Sequence, residues 1–292
     1  MNQGRRSIVG RLPAWLRKRV PADSDWVEVG QLLGRLGLNT VCRSAHCPNL
    51  LECFARKRAT FLLMGNRCTR DCAFCAVESG SPEALRADEP WLVAQAGQAL
   101  GLRHVVLTSV TRDDLRDGGA SHFAATIRAV HHLLPESTVE VLVPDFGGSR
   151  DSVLAVLREG VEVFNHNLET VPRLYEEVRP QADYHRSLAV LRWAAEEGHA
   201  LVKSGLMVGL GETGGEVEDV LGDLYACGCR AVTIGQYLAP SDRHYPVAEF
   251  VTPAEFEAYA ATARRIGFTR VASAPFVRSS YGAEEMLAGC NR

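Results

Sequence analysis

The stretch "ATFLLMGNRCTRDCAFC", Ala59 to Cys75, joins a short apolar run of strand type to three cysteines spaced C-x3-C-x2-C, at Cys68, Cys72 and Cys75. In parallel α/β folds the ligand site lies at the carboxyl ends of the strands. Thiols on the loop directly after a strand therefore predict a site at that end of a sheet, where loops carry function.

Working outward, apolar or β-branched runs recur at "HVVLTSV" (from His104), "VEVLVPDF" (Val139), "VEVFNHNLE" (Val161), "LVKSGLMVGL" (Leu201) and "AVTIGQYL" (Ala231). Between them lie segments with helical spacing, such as "EPWLVAQAGQALG", "HFAATIRAVHHLL" and "HRSLAVLRWAAEEG". Continuous apolar strands alternating with helices predict an α/β fold with a parallel sheet covered by helices. A full eight-unit barrel takes about 250 residues. With residues 1–58 outside the repeat, a partial (β/α)6 barrel over 59–270 fits better, followed by a tail over 271–292. Ser149 or Asp151 is expected to cap one helix, with Gly160 ending it, and Thr252 with Pro253 to start another. "WVEVGQLLGRLGL" in the extension reads as a packing helix, because its polar face is not rich in Lys and Arg.

Composition narrows the function classes. A chain of 292 residues, 46% hydrophobic and 23% charged, with a formal net charge of -3, has no basic excess of the kind nucleic-acid binding requires. No apolar run reaches the length of a signal h-region or a membrane span, so neither nucleic acid nor membrane is an expected partner and the cytoplasm is the expected location.

That compartment shapes the reading of nine cysteines. An odd count in a large chain without an export signal argues against a disulfide framework and for metal binding or chemistry. A second triplet, Cys42, Cys47 and Cys53 in "CRSAHCPNLLEC", precedes the first. Cys227, Cys229 and Cys290 read as packing residues. Two unequal triplets do not resolve into the paired spacing of a structural zinc site. A cubane iron–sulfur cluster, by contrast, has four corners; three thiolates leave one iron open to a small ligand.

Cys68, Cys72 and Cys75, with Phe74 before the last, match the cysteine signature of the radical S-adenosylmethionine (SAM) superfamily. From about Cys42 onward the chain resembles the lipoyl synthase family within it. The resemblance is carried by the C-x4-C-x5-C triplet, by "RSSY" (Arg278–Tyr281), and by "LTSVTRDDLRDGGA", "VFNHNLETV", "SGLMVGLGET", "VTIGQYLAPS" and "SAPFVRSSY". It implies two 4Fe–4S clusters and SAM. Cys68, Cys72 and Cys75 would hold the cluster that binds SAM, whose reductive cleavage gives methionine and a 5′-deoxyadenosyl radical able to abstract hydrogen from an octanoyl chain. Cys42, Cys47 and Cys53 would hold an auxiliary cluster that is broken down to supply sulfur at C6 and C8. Ser280, with Ser279 as the alternative, would be its fourth ligand, an oxygen donor harder than thiolate and so an iron more easily lost.

The resemblance also implies partners: octanoylated lipoyl domains of 2-oxoacid dehydrogenase complexes and the glycine cleavage H protein, an electron donor such as ferredoxin or flavodoxin, and a cluster-repair carrier. Asn165, Asn167 and Glu169 are expected to contact SAM or its surroundings. Gly209 and Glu212, in "GLGET", are expected near the adenine, and Thr111 to Asp114 to orient cofactor or cap a helix. His46 is read as a loop residue. The family pattern is broken at Arg43 and Ser44, where acidic residues are frequent, and at Phe54 and the basic residues after it, where Trp and a glycine turn are usual. Other readings remain: another sulfur-inserting radical SAM enzyme would keep Cys68, Cys72 and Cys75 with different auxiliary ligands, whereas an electron carrier or zinc-stabilised module would need saturated coordination and no SAM.

Overall fold

The structure, a computed structural model, describes residues 12–18 and 25–288, so Cys290 lies outside the described residues. Helices α1 (Asp25–Leu36), α2 (Val41–Ser44) and α3 (Leu50–Ala55) build the extension, with β1 (Asn39–Thr40) between the first two. The predicted packing helix is α1, whose Val29 and Leu33 are buried in the same core as the barrel. β2 (Thr60–Leu63) is buried throughout, and the cysteine loop after it is bracketed by a two-stranded pair, β3 (Arg67–Cys68) and β4 (Glu78–Ser79).

The βα alternation then runs α4 (Glu89–Leu100), β5 (His104–Ser109), α5 (Ala120–Leu133), β6 (Thr138–Leu142), α6 (Arg150–Leu157) and β7 (Val163–Asn165). A short helix α7 (Tyr175–Val178) precedes α8 (Tyr184–Glu197), β8 (Leu201–Val208), α9 (Gly214–Ala226), β9 (Ala231–Gln236), α10 (Pro253–Ile266), β10 (Arg270–Ser273) and α11 (Ala283–Leu287). Local sequence sets the boundaries. Ser149 caps α6, and capping boxes Thr213/Glu216 and Thr252/Glu255 open α9 and α10.

The strand order β1-β2-β5-β6-β7-β8-β9-β10 is sequential, with every pair parallel except β1 against β2. β10 does not pair with β1 or β2, so the sheet is an open barrel of six βα units ended by one further strand. The division at residue 270 falls inside β10, so the sheet continues three residues past that point. Cys227 and Cys229, where α9 gives way to β9, are buried core residues.

Candidate functional site

The first triplet is aimed by the turn that ends β2. Met64 adopts a left-handed φ of 66°, and its backbone N–H donates to Glu89 Oε2 at 2.9 Å, a buried carboxylate also bonded to His122 Nε2 at 2.6 Å. Gly119 adopts a φ of 91°, where a side chain is strained, and a Cβ there would also push Met64 Sδ, 2.4 Å away, aside. The loop is then tied down along its length: Thr69 N–H donates to Thr111 O (3.1 Å), Ala73 N–H to Val178 O (2.9 Å) and Gly80 N–H to Cys68 O (2.9 Å).

Arg70 is the main anchor. It forks onto Asp113 (2.8 Å) and Asp145 (2.7 Å), and Asp145 is bonded again by Arg186 at 2.8 Å. Burial alone would raise the Asp145 pKa, but the Arg70 hydrogen bonds and charge outweigh it and hold the carboxyl well below its usual range. Of the segment Thr111 to Asp114, Asp113 therefore fastens the cysteine loop, Arg112 pairs with Asp114 at 2.7 Å, and Thr111 N–H points at Cys68 Sγ at 3.3 Å. Arg70 N–H makes a second contact to that sulfur at 3.4 Å. Burial pushes the Cys72 thiol to about 11 and the Cys75 thiol to about 12, and each lies within electrostatic reach of Cys68 and Glu169.

The second triplet spans two short helices and the turn that joins them. Cys42 sits in α2, Cys53 in α3 and Cys47 in the turn between, where its N–H donates to Cys42 O at 3.0 Å. Burial, with the neighbouring thiols adding to it, raises Cys42 to about 11 and Cys53 to about 12. Arg43 and Phe54, both departures from the expected pattern, meet each other: the guanidinium lies 5.8 Å from the ring centroid, within cation–π range.

The tail that bears "RSSY" is threaded into the barrel. Gly205 and Gly235 make the room for it. A Cβ on Gly235 would lie 2.1 Å from Val277 O, and one on Gly205 would lie 2.8 Å from Ser279 Oγ. The residues of "RSSY" face different surroundings. Arg278 stands within electrostatic reach of both Cys47 and Glu169. Ser279 exchanges hydrogen bonds with Asn167 (2.7 and 2.9 Å), and Asn167 in turn donates to Glu169 at 3.0 Å. Ser280, not Ser279, lines a cavity of ≈ 870 Å³ shared with Cys42, Cys47 and Cys53. The Tyr281 hydroxyl donates to Glu52 at 2.8 Å, and Asn49 Nδ2 donates to Phe276 O at 2.7 Å, which locks the tail onto the extension.

The remaining expected residues divide. Glu169, at a left-handed φ of 66°, and Asn167 lie between the two triplets; burial raises the Glu169 pKa against the opposing charge of Arg179. Asn165 is fully buried and directed at Glu140 (3.5 Å), itself paired with Lys203 at 2.8 Å. Phe74 packs half-buried against the core. Gly209 and Glu212 form a self-contained turn: the Glu212 carboxylate accepts from the N–H groups of Gly209 and Leu210, and it faces a separate recess with Glu249 and Tyr259. His46 occupies a left-handed loop position between the ligand-type cysteines.

The donor sets suit clusters better than a single ion. Among the described residues no three His, Cys, Asp or Glu side chains converge on one metal position. A cubane asks for something different, thiolates on separate irons with backbone N–H groups directed at sulfur, and the first loop supplies both. Arg70, Asp145 and Glu52 escape a sequence reading, and Arg278 and Tyr281 enter it only as members of "RSSY", without roles of their own. Only Arg278 and Tyr281 carry a signal, their position beside the two serines.

A partial barrel with a C-x3-C-x2-C loop at its strand ends defines a radical SAM enzyme. The radical SAM superfamily model matches residues 62–224, and the chain belongs to that superfamily, whose members use a 4Fe–4S cluster and SAM. Solved structures agree in fold: methylornithine synthase (TM-score 0.56, 18% identity, 82% of this chain and 73% of that one) and coproporphyrinogen III oxidase from Escherichia coli (0.52, 13%, 76% and 56%). Within the superfamily the chain belongs to the lipoyl synthase family, and so is a sulfurtransferase. It is 55% identical to lipoyl synthase of Caldanaerobacter subterraneus subsp. tengcongensis over 95% of this chain and 98% of that one. It is 53% identical to that of Caldicellulosiruptor saccharolyticus over 94% and 96%.

Proposed function

We propose that the chain makes lipoyl groups by inserting two sulfur atoms at C6 and C8 of an octanoyl-lysine carried on another protein. In this reading Cys68, Cys72 and Cys75 hold the cluster that binds SAM, and Cys42, Cys47, Cys53 and Ser280 hold a second one. When bound, the first cluster with SAM supplies hydrogen abstraction and the second supplies sulfur. The chain's own residues position and enclose. Arg70, Asp113 and Asp145 keep the first loop in place, Glu169 and Asn167 present polar atoms beside it, and Arg278 to Tyr281 close the barrel over the second triplet. Excluding water is the protein's part of radical chemistry, because an open site would quench the reactive species.

The observation that carries this reading is the division of labour within one tail: Ser280 faces Cys42, Cys47 and Cys53, while its neighbour Ser279 is bonded to Asn167 on the side of Glu169 and Cys72. The extension (1–58), barrel (59–270) and tail (271–292) are thus functional divisions, bearing the second triplet, the first triplet and the closing ligand. Lipoyl domains of 2-oxoacid dehydrogenase complexes and the glycine cleavage H protein are the proposed substrates, a ferredoxin or flavodoxin the electron source, and a carrier protein the means of rebuilding the spent cluster. Among the described residues the eight cysteines are free, which suits a reducing compartment, the cytoplasm, and no helix is long and apolar enough to cross a membrane. The test is anaerobic incubation of the reconstituted protein with an octanoyl-lysyl peptide, SAM and a reductant. Mass spectrometry is expected to find a dithiolated peptide with 5′-deoxyadenosine; an unmodified peptide alongside 5′-deoxyadenosine, from protein carrying both clusters, contradicts it.

A further inference from the structure

The cavity that holds Cys42, Cys47, Cys53 and Ser280 opens through a rim of charge that neither triplet uses. Some of that charge is spent within the chain: Arg56 pairs with Glu52 (3.3 Å), and Arg58 with Glu284 (3.1 Å) and Glu285 (2.6 Å). Three arginines are left over. Arg103, before β5, and Arg264, in the last turn of α10, are exposed, and among the described residues their side chains have neither hydrogen bond nor ion pair. Arg270, at the start of β10, reaches only the Thr269 carbonyl at 3.1 Å, and its Nε has no partner. Against them stands one acid of the rim outside the pairs above, Glu257. A local cationic excess on a chain of net charge -3 runs against the average of the surface.

Like charges held together repel, and in the cavity lining only Glu257 lies outside the ion pairs to offset these three. Their position gives the reason for tolerating them. At ≈ 870 Å³ the cavity is at the upper end for ligand sites, roughly 300–1,000 Å³, and can admit a long, flexible acyl-lysine arm but not the folded body that bears it. That body must stop where the lining meets solvent, which exposed Arg103 and Arg264 mark, with Arg270 half-buried in the same lining.

We propose that this rim is the docking surface for the octanoyl-bearing protein, and that it selects an acidic surface flanking the modified lysine. The inference rests on the functional reading above and adds to it the chemistry of the partner. Charge complementarity of this kind raises the association rate and weakens with salt, while leaving the chemical step alone.

The experiment compares two substrates on the reconstituted full-length protein: an octanoylated carrier domain with acidic residues beside its lysine, and an octanoyl-lysyl peptide lacking acidic residues. For Arg103→Glu/Arg264→Glu, KM for the domain is expected to rise roughly tenfold with kcat retained. The effect should be confined to the domain, and Arg103→Lys/Arg264→Lys should restore it. Raising NaCl from about 50 to about 500 mM should remove the wild-type preference for the domain over the peptide. An unchanged KM for the domain, or an equal loss with both substrates, overturns the docking surface; the single Arg264→Gln substitution applies the same criterion if the double variant folds poorly. Failure of the wild-type protein to thiolate either substrate overturns the functional reading itself, and the docking proposal with it.

Discussion

The side-chain amide of Asn167, just beyond β7, donates to the Ser279 hydroxyl at 2.7 Å, joining residues 112 apart in sequence. Through it the tail is fixed to the wall that also carries Glu169. Asn167→Ala removes this bond and the one to Glu169 at 3.0 Å, at a cost of about 1 kcal/mol each in stability. Sulfur insertion should fall more than SAM cleavage, read as a rise in 5′-deoxyadenosine formed per thiolated peptide. An unchanged ratio would mean that the tail's position does not depend on this contact.

Gly235→Ala addresses the same tail from the opposite strand. Its new methyl group would sit 2.1 Å from Val277 O, a backbone atom with nowhere to retreat, so the tail must shift. Overpacking of this kind costs about 1–3 kcal/mol. The expected phenotype is retained SAM cleavage with lost sulfur insertion and a lower iron content, whereas Gly222→Ala, with nothing within 4 Å, serves as the neutral control. Wild-type thiolation by Gly235→Ala would show that the tail does not need its seat.

The two triplets are predicted to separate in mutants. Cys72→Ala should abolish 5′-deoxyadenosine formation altogether. Ser280→Ala should leave cleavage largely intact and abolish thiolation, while Ser279→Ala, whose hydroxyl faces Asn167 instead of the cysteine-lined cavity, should retain part of it. Loss of both activities in Ser280→Ala would defeat the assignment of separate roles.

Acid sensitivity should come in two stages. Burial, helped by the Arg179 charge, lowers the His166 pKa from 6.5 to about 4, so the fold holds the neutral ring. Its stabilisation is complete above pH 6.5 and is lost as pH falls toward about 4, because the unfolded chain takes up the proton first. Asp145, also depressed, contributes fully above its unfolded value of 3.8 and fails only below it. His166→Gln should therefore flatten the loss of stability between about pH 7 and about pH 5, measured as urea midpoints. Asp145→Asn should cost about 1.5–3 kcal/mol even at neutral pH, because Arg186 loses its carboxylate partner and Arg70 keeps only Asp113. An undiminished pH slope in His166→Gln would assign the acid response to other groups.

Where the sequence was informative, chemistry or pattern repeated within a short window. "HVVLTSV" reads as a strand because its residues are apolar and β-branched, and α10 announces itself through Thr252, Pro253 and Glu255. The cysteines are legible because cluster ligation depends on spacing. β10 was missed because its four residues, "RVAS", bury little and carry no periodicity, and β1, β3 and β4 are two residues each. Arg70 and Asp145 are 75 residues apart, and nothing near either predicts the other. At Gly209 and Glu212 the motif is legible but its local bonding is not: the Glu212 carboxylate accepts from the N–H groups of its own turn. The arrangement of "RSSY" follows from Gly205 and Gly235, whose lack of side chains matters only once the tail lies against them.

On the proposed function, Cys42, Cys47 and Cys53 hold the cluster whose sulfide ends in the product. The most direct measurement is to reconstitute the protein with isotopically heavy sulfide, allow a single turnover on an octanoyl-lysyl peptide in the absence of free sulfide, and weigh the product. Heavy sulfur at both positions, with no thiolated peptide from the Cys42→Ala/Cys47→Ala/Cys53→Ala variant despite continued SAM cleavage, is the predicted result. Light sulfur in the product, or thiolation by the triple variant, would contradict it.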